Sequence, residues 1–110
     1  METFGRIIAA ARKAAGISQK DLAAKIRKED GEPISHQYLN DIEHDRRNPP
    51  NELIIEQLAK QLDLAAEYLI FAAGMLPNDL RKDLAGAKPE HVERAYRAFR
   101  ENLKKRPNHQ

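Results

Sequence analysis

Between Ser35 and His44 the chain places His36, Gln37, Tyr38, Asn40 and Asp41 around only two large apolar residues, Leu39 and Ile42. That three-residue spacing gives a helix one narrow apolar edge. A helix with so little apolar surface adds little to a core, so its polar groups face outward. Gln37 and Asn40 carry paired amide donors and acceptors, His36 an imidazole and Asp41 a carboxylate. Such groups suit hydrogen-bonded recognition of a ligand, and a solvated face with no ligand fits them equally well.

Other chemistry finds less support. A metal site drawn from His36, Asp41, Glu43 and His44 fails on spacing. The two histidines stand eight positions apart, at opposite ends of a two-turn helix, and no H-x-x-x-H occurs. No glycine-rich phosphate loop, activated serine or inward carboxylate pair stands out. The expectation is a binding protein, with neither catalysis nor cofactor nor metal.

Two serine caps frame the polar helix and the one before it. Ser18 precedes Gln19-Lys20-Asp21, the aspartate form of a capping box, and Leu22, Ala23 and Ile26 follow on one face. Ser35 opens the next helix, expected over His36 to Glu43. Between them Lys28-Glu29-Asp30-Gly31-Glu32-Pro33 ends any helix, so the second helix stops near Arg27. Upstream, Phe4, Ile7, Ile8, Ala11 and Ala15 predict a first helix from about Glu2 to Ala15, with Gly16 as its left-handed stop. Downstream, Arg46-Arg47-Asn48-Pro49-Pro50 is a loop, because the double proline leaves no helical alternative. A fourth helix runs from Asn51 or Glu52 to Leu62. Asp63 is expected to cap a fifth through Ala66 to Ala73, apolar on more than one side and ended by Gly74. After a hinge at Met75-Leu76-Pro77, a short helix spans Asn78 to Ala85. A last helix opens at Pro89 in its favoured first-turn position and reaches Lys105. Its stripe is Val92, Ala95, Tyr96, Phe99 and Leu103, and only 106–110 reads as disordered.

Composition agrees with one helix-rich globule. The 110 residues are 41% hydrophobic, 33% charged and 5% aromatic, without cysteine or tryptophan. Disulfides and thiolate metal sites are thereby excluded. No apolar run approaches the roughly 20 residues that a membrane helix needs, and METFGRII lacks the layout of a signal peptide. The expectation is a soluble cytoplasmic protein with no membrane partner. Formal net charge is +2, but from Met75 onward nine Lys and Arg face five Asp and Glu. Any contact of the first part with an anion must therefore come from locally placed groups.

Across Phe4 to Gly74 the chain resembles the λ-repressor/Cro-like, XRE-type helix-turn-helix regulators. The matching residues are Phe4-Gly5-Arg6-Ile7-Ile8, Arg12, Gly16-Ile17-Ser18-Gln19, Asp21-Leu22-Ala23, Ser35, Tyr38-Leu39, Ile42-Glu43 and Arg46-Arg47-Asn48-Pro49. The resemblance implies an all-α fold: a five-helix DNA-binding domain over residues 1–74 and a helical extension over 75–110. It implies that the third helix enters the major groove of double-stranded DNA, with His36, Gln37, Asn40 and Asp41 towards the bases. Gln and Asn suit adenine N6 and N7, and His can donate to guanine or to a phosphate. Gln19, Ser35, Tyr38, Arg46 and Arg47 would hold the sugar-phosphate backbone. Arg12 and Glu43 match a structural ion pair joining the first helix to the end of the third.

Two departures bear on that reading. The turn between the second and third helices is about six residues longer than the usual tight turn, and its Glu29, Asp30 and Glu32 would be repelled by phosphates. The loop is expected to bend away from DNA or to contact protein. Asp45 stands where a glycine is common, which places an acid near the expected DNA. The implied function is transcriptional regulation, as a repressor acting as a homodimer. Tyr68, Phe71, Val92, Tyr96, Phe99 and Leu103 supply apolar material for a dimer or partner surface. The alternative is an antitoxin or adaptor whose C-terminal helices bind a partner protein, with DNA binding secondary.

Overall fold

The computed structural model describes residues 2–105. The expectation of a disordered tail over 106–110 lies outside the described residues, as does Arg106. The described residues form seven α-helices and no strand ladder, in two compact units, Met1–Pro77 and Asn78–Gln110. The all-α, helix-turn-helix class expected from the sequence is the one observed.

In the first unit α1 spans Phe4–Ala14. It starts two residues later than the apolar pattern suggested, because Thr3 is its cap: Thr3 Oγ1 accepts from Arg6 N at 3.1 Å. Phe4 and Ile8 are buried, whereas Ala15, expected on the same stripe, is exposed beyond the helix end. Helix α2 spans Gln19–Lys25 behind Ser18, whose Oγ accepts from Asp21 N at 3.0 Å. Helix α3 spans His36–Glu43 behind Ser35, whose Oγ accepts from Tyr38 N at 3.0 Å. Helix α4 spans Glu52–Leu62, with Asn51 as its side-chain cap.

The expected cap role of Asp63 is corrected. Asp63 adopts a left-handed φ of 57° and closes α4, a conformation aspartate tolerates better than most residues. Helix α5, Ala66–Ala72, then starts at Ala65 with no side-chain cap at all. Its Leu69 and Ile70 are buried, while Tyr68 and Phe71 stay exposed.

The long turn is built rather than loose. Helix α2 ends two residues before Arg27 because Ile26 turns extended and buries its side chain completely. Ile26 O accepts from Ile34 N at 2.9 Å, and Lys28 N donates to Glu32 O at 2.8 Å, around a bridge between Arg27 and Pro33. Gly31, at φ 88°, makes the tip of this small hairpin. From α4, Gln57 Oε1 accepts from Arg27 N at 2.7 Å and its Nε2 donates to Arg27 O at 2.8 Å. Ile26 and Ile34, the two feet of the hairpin, belong to the core, while residues 28–33 between them stay exposed.

Around that core α1 packs on α3 and α4, α2 on α3, and α4 on α5. Ile8, Leu22, Ile26, Leu39, Ile42, Ile55, Leu58 and Leu69 are fully enclosed, each contributing about 1.5–3 kcal/mol relative to exposure. The second unit holds α6, Asn78–Ala85, and α7, Pro89–Lys105. None of the described residues in these two helices is buried. Val92 is half-buried, and Leu80, Tyr96, Phe99 and Leu103 are exposed.

Candidate nucleic-acid interface

A hydrogen-bonded chain runs beneath the polar face of α3. Arg12 Nε donates to Glu43 Oε2 at 2.6 Å and Nη2 to Glu43 Oε1 at 3.0 Å. The remaining arm, Nη1, donates to Ile17 O at 2.9 Å. The two side chains are 11% and 2% exposed, so this bidentate pair is a structural bolt joining α1, the α1–α2 turn and the end of α3. Gln19 extends the chain outward: its Nε2 donates to Glu43 Oε1 at 2.8 Å and to Asn40 Oδ1 at 3.0 Å. Gln19 Oε1 in turn lies 2.9 Å from His36 Nε2.

On the outer face His36 and Gln37 are exposed, while Asn40 and Asp41 are half-buried. Gln37 Nε2 donates to Asp41 Oδ1 at 2.9 Å, and Arg46 Nε reaches the same oxygen at 3.2 Å. Arg47 Nε stands 4.0 Å from Asp41 Oδ2. Its guanidinium also lies over the Tyr38 ring, 5.0 Å from the centroid, a cation–π stack that restrains the loop arginine. Asp41 is thus shared by three neighbours.

A groove beside the start of α3 is lined by Lys28, Pro33, Ile34, Ser35, Tyr38, Arg47 and Ile54. Lys28, contributed by the hairpin, adds a cation next to the Ser35 cap and the Tyr38–Arg47 stack. Sequence reasoning missed it because the acids around it dominated the reading of the loop.

Asp45 is engaged by the start of α1. In its left-handed conformation, φ 57°, Oδ2 accepts from Thr3 Oγ1 at 2.7 Å and Oδ1 from Gly5 N at 3.1 Å. The carboxylate caps the start of α1, where the helix dipole favours it. Gly5 makes the approach possible. A Cβ there would sit 2.5 Å from Asp45 Oδ1 and 2.8 Å from Glu43 O, and against Ile42 O as well. Thr3 and Gly5 were absent from the expected site residues. A glycine inside the apolar stripe of a helix was the available signal, since it marks close backbone approach.

This packing of α2 and α3, with a capped polar helix at the surface, is the architecture that family comparison recovers. The HTH_3 helix-turn-helix family model matches residues 8–69. The chain belongs to this XRE-type helix-turn-helix family. It is a family of DNA-binding transcription regulators. The chain is also similar to a solved structure of a SinR protein/SinI protein complex, with a TM-score of 0.53 and 22% identity. That match covers 94% of this chain and 100% of the other, and at such identity it speaks for the fold. No curated protein matches the chain. Within the matched region, α2 and α3 are the two helices of the helix-turn-helix. Among the described residues no helix is long and apolar enough to cross a membrane.

Proposed function

We propose that the protein is a cytoplasmic repressor that binds a palindromic DNA operator as a homodimer and carries out no chemistry on it. The observation that carries this reading is the polar face of α3, with His36 and Asn40 held in place from beneath by Gln19, Glu43 and Arg12. Ordering those side chains in the free protein lowers the entropic cost of binding bases. His36, Gln37 and Asn40 read base edges. Asp41, taken up by Gln37, Arg46 and Arg47, aims the two loop arginines at phosphates. Ser35, Tyr38, Arg47 and Lys28 line a groove suited to one phosphate of the backbone. Gln19 contributes through its backbone at the start of α2, since its side-chain donors are spent inside the protein.

Residues 1–74 would supply the DNA-binding domain and 75–110 the pairing segment. One recognition helix reads too few base pairs to compete with a genome. Two helices about 34 Å apart on one face of the duplex solve that problem. Selection of bound sequences from a random double-stranded pool tests the reading. Enrichment of a palindrome supports it, and a pool with no enriched sequence overturns it.

A second reading, the antitoxin or adaptor, draws on the exposed side chains of α7 and α5. Tyr68, Phe71, Tyr96 and Phe99 are between 44% and 60% exposed, and the similar solved structure is itself a complex of two differently named proteins. In that case the exposed side chains of one or other helix would capture another protein, and DNA binding would be secondary. A monomer that enriches no DNA but binds a protein encoded beside it would favour this alternative.

A further inference from the structure

The hydrogen bonds beneath α3 have only one consistent direction, and Glu43 sets it. Its carboxylate, 2% exposed and paired with Arg12, accepts and cannot donate. The atom of Gln19 that lies 2.8 Å from Glu43 Oε1 must therefore be the amide nitrogen. That nitrogen has two hydrogens, and the second goes to Asn40 at 3.0 Å. Asn40 must meet it with its oxygen, because its own NH2 would set donor against donor. With the nitrogen of Gln19 turned inward, its oxygen faces His36 Nε2 at 2.9 Å. An oxygen there requires Nε2 to carry the proton.

The outward groups follow by elimination. Asn40 Nδ2 has no partner among the described residues, and no buried side-chain nitrogen or oxygen is left unpaired, so this NH2 reaches solvent. Neutral His36 keeps Nδ1 as an acceptor. An asparagine free to flip can offer either a donor or an acceptor at one place. Asn40 has lost that choice.

We infer that Glu43, acting through Gln19, is a positioning residue for base specificity. It holds Asn40 as a hydrogen-bond donor, so that the base facing it must accept. Guanine, with O6 and N7, adenine, with N7, and thymine, with O4, satisfy that donor in the major groove. Cytosine, whose N4 only donates, does not. The inference rests on the reading of α3 as the helix that enters the groove.

The experiment compares wild type, Gln19→Met and Asn40→Asp, all full length and checked for helicity, by selection from a random double-stranded pool. Wild type is expected to enrich a site with one column per half-site from which cytosine is depleted about tenfold or more. Gln19→Met frees the Asn40 amide to turn, and the depletion should fade. Asn40→Asp keeps an oxygen for Gln19 but turns an acceptor outward, so cytosine should become enriched at that column. Unchanged preferences in both variants overturn the inference while leaving the DNA-binding reading intact. If Gln19→Met does not fold, the Asn40→Asp result decides alone. A wild-type pool with no enriched sequence overturns both. The direction of the chain is also read without DNA: nitrogen NMR of neutral His36 should show a protonated Nε2, and the opposite tautomer would break it.

Discussion

Arg12 and Glu43, thirty-one residues apart in the chain, close a bidentate pair whose shorter bond is 2.6 Å and whose carboxylate is almost wholly enclosed. Gln19 then hands the orientation of that carboxylate to Asn40 and His36. A stability element and the face of α3 are therefore one hydrogen-bonded system. Replacing Arg12 with Met would leave Glu43 enclosed without its counter-charge. Loss of one partner of such a pair costs about 3–5 kcal/mol, which urea unfolding of the variant should report. Removing both charges, as Arg12→Met with Glu43→Leu, should recover most of that stability. A single variant within 1 kcal/mol of wild type, roughly the worth of a surface pair, would show that the bolt is not structural.

Gly5→Ala separates helix propensity from packing. In a free helix alanine is favoured over glycine by about 1 kcal/mol. Here the added Cβ meets Asp45 Oδ1 at 2.5 Å and Glu43 O at 2.8 Å, and two of the neighbouring acceptors are backbone carbonyls. Overpacking of this kind costs about 1–3 kcal/mol, so a lower melting temperature is expected. An unchanged or higher melting temperature would mean that α1 can slide away from α3 at no cost.

Much of the helical frame was legible because its signals are local. Ser18, Ser35 and Pro89 mark starts, Gly16 and Gly74 mark stops, and three-to-four spacing marks the buried faces. What escaped was determined across the chain. Asp45 lies forty positions from Gly5, so no window around either residue shows that the acid caps α1. Gln57 lies thirty positions from Arg27, which hid the anchoring of the hairpin. Asp63 stood one residue after a helix and three before the next, and its left-handed turn made it a stop instead of a start. For the candidate interface, residue types on α3 were readable from a single helix. Their donor and acceptor directions were not, because those depend on Glu43 and on Gln19 from another helix.

Direct reading of bases and holding of phosphates should separate in mutants of the exposed face. Gln37→Ala is expected to weaken specific binding by about 1–3 kcal/mol and to relax preference at one position per half-site. Lys28→Ala and Arg47→Ala should weaken all sequences alike and reduce the dependence of affinity on salt. Titrations against specific and scrambled duplexes at several salt concentrations distinguish these outcomes. If Gln37→Ala retains full sequence preference, that side chain has no part in recognition.

The hairpin between α2 and α3 should depend on one side chain of α4. Gln57→Ala removes both bonds to the Arg27 backbone. Because Ile26 and Ile34 remain buried, the domain should stay folded while the hairpin opens more often. Hydrogen exchange is the sensitive readout. Faster exchange is expected at the Arg27 amide, which loses its acceptor, and at the Lys28 and Ile34 amides of the hairpin. Unchanged exchange at Lys28 and Ile34 would show that burial alone holds the hairpin.

The apolar stripe of α7 specifies how two chains would pair. Val92, Tyr96, Phe99 and Leu103 lie within about 60° around the helix, spaced four, three and four residues apart in the a and d pattern of a two-stranded coil. Antiparallel pairing about the middle of the helix sets Val92 against Leu103 of a second copy, and Tyr96 against Phe99. In that register Glu93, beside the stripe, meets Arg100 of the other chain, and the pair is repeated by symmetry. Among the described residues neither Glu93 nor Arg100 has an ion-pair partner within its own chain. Parallel pairing would instead bring like charges level along the stripe. Glu93→Arg or Arg100→Glu alone should therefore weaken the dimer, since each sets like charges face to face across two contacts. The double reversal should restore it. Sedimentation of the full chain across micromolar concentrations reads the association directly. Equal weakening in the double variant would exclude the antiparallel register, and a wild-type monomer at all concentrations, free and on a palindromic duplex, would exclude the homodimer itself.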